Sequence, residues 1–128
     1  MPSWSQYREI ASSRGALAFE LYVVESTLAK SPQDVQSVLP QHLEYQSEME
    51  DAGRLFLAGP MSDASGEEMS GGGLIIYRAS SMDDARSLAD NDPMHQSGAR
   101  TYSLRRWLVN EGSISLSMGL SAQKIKLA

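Results

Sequence analysis

The chain lacks cysteine altogether and holds only two histidines, His42 and His95, among its 128 residues. The first absence excludes disulfide scaffolds, thiol redox chemistry, cysteine nucleophiles and zinc ribbons. The second leaves no H-x-x-x-H or H-E-x-x-H spacing, so neither a metal nor any other cofactor is expected. Long apolar runs are missing too, and the first fifteen residues, with Arg8, Glu9 and Arg14, contain no apolar leader segment. A cytoplasmic protein free of the membrane is the expectation. Basic residues are few: 11 Lys and Arg against 16 Asp and Glu leave a formal net charge of −5. Such a chain repels polyphosphate, which argues against nucleic acid and anionic membrane surfaces as partners. No G-x-S-x-G elbow is present. The run Gly71-Gly72-Gly73 precedes an apolar stretch instead of a helix start, so it reads as hairpin loop and not as a phosphate cradle.

What is present suits one globular domain, with 41% hydrophobic and 21% charged residues. Period-two alternation from Ala16 to Glu25 predicts a strand. Pro40 and Gly53 bracket a predicted helix, Pro at its first position and Gly just past its end. A short apolar strand over Arg54 to Ala58 is expected to stop at Gly59-Pro60. Met61 to Gly73 reads as a loop, and Leu74 to Arg78 as a central strand. Ser81 is placed to cap a second helix, with Asp83 and Asp84 in its first turn and Met82, Ala85, Leu88 and Ala89 as its buried stripe. Pro93 ends it, and Ala99 to Val109 alternates as a fourth strand. The tail from Ser113 is a fifth strand or an arm. The order β-α-β-β-α-β is the ferredoxin-like arrangement of the α+β class. Two helices cover one sheet face, so a second copy is expected to cover the other, giving a homodimer with a barrel-like interior.

Two acidic positions and one imidazole carry the candidate chemistry. His42, two residues after Pro40, would sit at a helix N-terminus, where the dipole keeps imidazole neutral and ready to act as a base. Its plainer role is that of a half-exposed helix residue. Asp92 before Pro93 and Asp63 after Gly59-Pro60 have equally plain roles as turn residues.

As a set, His42-Leu43-Glu44-Tyr45, Asp51-Ala52-Gly53-Arg54-Leu55, Ala58-Gly59-Pro60, Asp63, Gly66, Gly72-Gly73-Leu74 and Ala89-Asp90-Asn91-Asp92-Pro93 resemble the YciI-like (YCII-related) family. The resemblance spans about Leu17 to Glu111. Arg106 departs from it, standing where relatives often carry Pro before Trp107. The resemblance implies a dimeric α+β barrel, with residues 16–112 as its domain, 1–15 as an N-terminal extension and 113–128 as a tail or arm. It also implies a catalytic pair, His42 and Asp92, with Gly59, Pro60 and Asp63 binding substrate, and gives His95 no role.

A His held by a carboxylate transfers protons, because the carboxylate fixes the tautomer and favours the imidazolium that forms. The expected function is therefore isomerisation or elimination, such as dehydrochlorination, on a small aromatic or lactone-type molecule. The alternatives are a small-molecule binding or regulatory module without turnover, or a subunit scaffolding another protein.

Overall fold

A computed structural model describes the whole chain, Met1–Ala128. Its elements are α1 (Trp4–Ser13), β1 (Phe19–Leu28), α2 (Pro32–Asp51), β2 (Leu55–Ser62), β3 (Met69–Tyr77), α3 (Met82–Asp90), α4 (Pro93–Gln96), β4 (Arg100–Val109), β5 (Leu116–Gly119) and β6 (Lys124–Leu127). They group into two units, Glu20–Trp107 and Met1–Phe19 with Leu108–Ala128.

The larger unit carries the ferredoxin-like order expected from the sequence, its sheet running β2-β3-β1-β4. Leu74 to Tyr77 lies in a central strand, as its apolar run implies. Antiparallel register sets Tyr22 against Tyr77 and Val24 against Ile75. By the two-residue repeat of a strand these four share one face. That face packs on Ala85, Leu88 and Ala89 of α3, with Met49, Leu55, Tyr102 and Leu104 around the cluster. Each large apolar side chain buried there contributes about 1.5–3 kcal/mol. Helix α3 forms where its signals place it: Ser81 caps it, accepting from the Asp84 N–H, and Asp83 and Asp84 occupy its first turn.

Four boundaries differ from the sequence reading, each for a physical reason. Strand β1 starts at Phe19 instead of Ala16, because Ala18 is in the left-handed region with φ 50°. Helix α2 starts at Pro32, not Pro40. The Ser31 hydroxyl accepts from the Asp34 N–H and Pro32 fills the first turn, so the start signal lies at Ser31-Pro32. Pro40 then lies inside the helix, where it has no N–H for the Gln36 carbonyl. Gly53, with φ 74°, follows the C-cap Ala52 as the sequence implies.

Gly59-Pro60 does not stop β2. Gly59 pairs with Leu74 and Pro60 with Gly73, and the strand continues to Ser62 with register shifts on either side. As β2 is a sheet edge, the missing N–H of Pro60 is tolerated. The Gly71-Gly72-Gly73 run accordingly belongs to β3 and not to a loop. A Cβ on Gly73 would come within 3.1 Å of the Gly59 carbonyl oxygen. The connection therefore shortens to the turn between Ser62 and Met69.

In the smaller unit, α1 has a capping box: Ser3 accepts from the Gln6 N–H while the Gln6 side chain accepts from the Ser3 N–H. The Leu17 N–H donates to the Asn110 carbonyl at 3.0 Å. The tail is not a fifth strand of the main sheet. It folds as its own hairpin, pairing Leu116 with Leu127 and Met118 with Ile125. No helix of the chain is long and apolar enough to cross a membrane.

Candidate active site

A cleft of about 660 Å³ opens between α2 and the helix-facing side of the sheet. Leu39 and Leu43 of α2, Leu57 of β2, Met69 and Ile75 of β3 and Met94 of α4 form apolar walls; Ser26, His42 and Arg100 supply polar groups. Gly59 and Pro60 line it as well.

His42 sits in the middle of α2 and not near its start, because the helix begins at Ser31-Pro32. The dipole argument for a neutral imidazole therefore does not apply, since that field fades within the first turn. A carboxylate does the orienting instead. His42 Nδ1 lies 2.8 Å from Asp92 Oδ1 and 2.9 Å from Oδ2. Asp92 is fully buried, while 18% of the His42 side chain is exposed. A carboxylate only accepts, so the Nδ1 proton donates to Asp92 and Nε2 is left as the imidazole's second nitrogen.

Asp92 owes its placement to local sequence. Pro93 disfavours helical geometry at the residue before it, and Asp92 adopts φ −65°, ψ 125° as N-cap of α4. Its Oδ1 accepts from the Met94 N–H at 2.9 Å. The same carboxylate thus caps one helix and grips the imidazole of another. Around it, Tyr45 donates to the Leu88 carbonyl at 2.7 Å. Burial first and the charge of Asp92 second push the Tyr45 hydroxyl up to about 12. Tyr77 is likewise raised, chiefly by burial, and its hydroxyl is buried without a hydrogen-bond partner.

Asp63 is not brought to this cleft. It lies in the β2–β3 turn, where it accepts from the Ser65 N–H at 3.0 Å and the Ser65 hydroxyl at 2.6 Å. The hydroxyl bond, foremost, holds its carboxyl below the usual range. Its observed role is the turn role, which corrects the expectation of substrate contact.

A second polar group, of which Ser26 and Arg100 line the cleft and His95 stands behind them, has no signal in the sequence, because its members stand far apart along the chain. His95 Nδ1 lies 2.7 Å from the Ala89 carbonyl oxygen and must donate to it, so Nε2 accepts from the Ser26 hydroxyl at 2.9 Å. The Ser26 oxygen in turn accepts from Arg100 Nε at 2.8 Å. Arg100 Nη2 donates to the Ser26 and Gly71 carbonyls at 2.8 and 2.7 Å. Burial, opposed by the charge of Asp92, lowers the Arg100 pKa from its ordinary value. No group of three or more His, Asp or Glu side chains stands close enough together to hold a metal ion.

This geometry falls within a segment matched by a known family. The YCII-related domain matches residues 18–108, which include the whole cleft. The chain belongs to the YCII-related family. A solved structure similar to it is 5-chloro-2-hydroxyhydroquinone dehydrochlorinase (TftG) from Burkholderia phenoliruptrix AC1100, in complex with 2,5-dihydroxybenzoquinone. The similarity covers 68% of this chain and 92% of that one, with a TM-score of 0.56 and 22% sequence identity. At that identity the likeness speaks for the fold, the ferredoxin-like α+β fold of YCII-related proteins. No curated relative matches the chain. Helix α1 and the β5–β6 hairpin lie outside the YCII-related segment.

Proposed function

We propose that this YCII-related protein is a proton-transfer enzyme of the lyase or isomerase class that works without a cofactor. The observation that carries the reading is the buried Asp92 fixing the Nδ1 proton of His42, whose ring lines an apolar cleft. In that arrangement Nε2 takes a proton from a bound molecule, and Asp92 stabilises the imidazolium until the proton is returned. The substrate class is a small aromatic or lactone-type metabolite, favoured by the leucine and methionine walls.

Dehydrochlorination of a chlorinated hydroxyhydroquinone, the reaction named for TftG, shows how the pair would serve. Two ring hydroxyls lose their protons, one proton returns to the chlorine-bearing carbon, and chloride leaves with the electrons of the C–Cl bond. The net loss is HCl, with a quinone as product. His42 moves the protons, and Gly59 and Pro60 border the ring. The unit of function in this reading is a homodimer, with a second copy covering the sheet face that carries Trp107, 46% exposed. A cytoplasmic location suits this chemistry.

The experiment is a panel of chlorinated hydroquinones and unsaturated lactones assayed for chloride release and double-bond migration. Turnover that vanishes on replacing His42 supports the enzyme. The rival reading, a binding module without turnover, draws on the other task of Asp92 as α4 cap. Tight binding of such molecules without chemical change would favour it.

A further inference from the structure

We propose that Arg100 is an anion subsite of the cleft, so that the ligand carries a negatively charged oxygen at the Arg100 end while its reacting part faces His42. The proposal rests on the proton-transfer reading for its orientation, and on three observations of its own. First, Arg100 lines the cleft and has no carboxylate partner; its Nε and Nη2 protons go to one hydroxyl and two carbonyls, all neutral acceptors. A half-buried guanidinium with no carboxylate in contact is a place where an anion gains much, since little water competes and the free Nη1 can donate to a charged oxygen.

Second, the guanidinium is held in place before any ligand arrives. The His95 proton on Nδ1 is fixed by the Ala89 carbonyl, which makes Nε2 an acceptor for Ser26; the Ser26 oxygen is thereby turned to accept from Arg100. Both carbonyls on Nη2 lock the plane of the fork, leaving Nη1 with no protein acceptor. This gives His95 and Ser26 the task of positioning Arg100. Third, by strand alternation Arg100 shares the helix-facing side of β4 with Tyr102 and Leu104, the side on which His42 also opens. Besides His42 and Arg100, the charged group lining the cleft is the exposed Glu50, so a carboxylate or phenolate finds its one cation at Arg100. A negative oxygen there also stays next to a positive charge when His42 removes a proton and the ligand gains charge.

The test compares benzoate with benzamide, planar molecules of the same outline that differ in charge, by NMR titration of the full chain. The wild-type protein is expected to bind benzoate at least about tenfold more tightly, the scale of a hydrogen-bonded charge pair. Arg100→Gln should erase that preference by weakening benzoate and leaving benzamide within about threefold. Arg100→Lys, which keeps the charge and loses the fork, should retain part of it. A merely structural Arg100 would weaken both ligands alike in Arg100→Gln. Equal affinities in the wild type, no binding of either molecule, or a preference that survives Arg100→Gln overturns the subsite. Should Arg100→Gln fail to fold, the wild-type pair of titrations decides alone. Binding is read without turnover, so a preference for benzoate in a protein that converts no substrate keeps the subsite and removes the proton-transfer reading.

Discussion

Replacing Asp92 by Asn isolates what its charge does for His42. In the native protein Asp92 accepts from the His42 Nδ1 proton with both oxygens, at 2.8 and 2.9 Å, and from the Met94 N–H at 2.9 Å. An asparagine of the same shape has one oxygen to accept with and an NH2 that only donates. If its oxygen keeps the Met94 N–H, its NH2 faces Nδ1, and the imidazole must move its proton to Nε2 to receive it. The nitrogen that faces the ligand then has no free electron pair. In triad enzymes the same exchange lowers turnover about 10⁴-fold through the same tautomer change, which corresponds to about 5.5 kcal/mol of barrier. Stability should change far less: a hydrogen bond to a charge becomes a neutral one, a loss of about 1 kcal/mol. Nitrogen-detected NMR of the His42 ring reads the tautomer directly, and urea unfolding reads the stability. A proton that stays on Nδ1 in Asp92→Asn, or a rate within tenfold of the wild type, would refute the reasoning.

Other substitutions test the frame around the pair. Pro40→Ala should raise stability by about 1–3 kcal/mol, since it restores a donor to the Gln36 carbonyl within α2; an unchanged urea midpoint would mean the helix already relaxes around Pro40. Gly73→Ala should destabilise by about 1–3 kcal/mol through its 3.1 Å approach to the Gly59 oxygen, and an unchanged urea midpoint would contradict this. Asp84 is held below the usual carboxyl range, first by the Ser80 N–H and next by Arg54, so its stabilising effect is present above the unfolded pKa and disappears as pH falls through the lower folded value. The stability gap between wild type and Asp84→Asn should therefore shrink on acidification, and a gap that widens would reverse the sign. Sedimentation should give twice the 14.0 kDa chain mass at micromolar concentration; a monomer would remove the dimer.

Much of the fold is legible in the residues because it is written locally. Period-two runs such as Tyr102 to Leu104 and the Ser81 cap with Asp83 and Asp84 each state their element within a few positions. Ser3 and Gln6 spell a capping box for α1 in the same local way. Pro40 and Gly59-Pro60 misdirect because proline, which favours helix starts and strand ends, here sits inside a helix and on an edge strand. For the site, His42 and Asp92 were reachable through the motif set, although the expected helix-dipole cause gives way to a direct carboxylate contact. Ser26, His95 and Arg100 were not reachable, since the 69- and 74-residue separations between them close only through the sheet.

The central claim is that His42 moves a proton of a molecule held in the cleft. The most direct measurement follows solvent-deuterium incorporation and chloride release over a panel of hydroxylated aromatics and lactones, for wild type and His42→Asn. Asparagine keeps a donor for the buried Asp92, so the variant remains folded while losing the basic nitrogen. The account predicts exchange or chloride release well above the buffer rate in the wild type and none above it in His42→Asn; equal rates in the two proteins would contradict it.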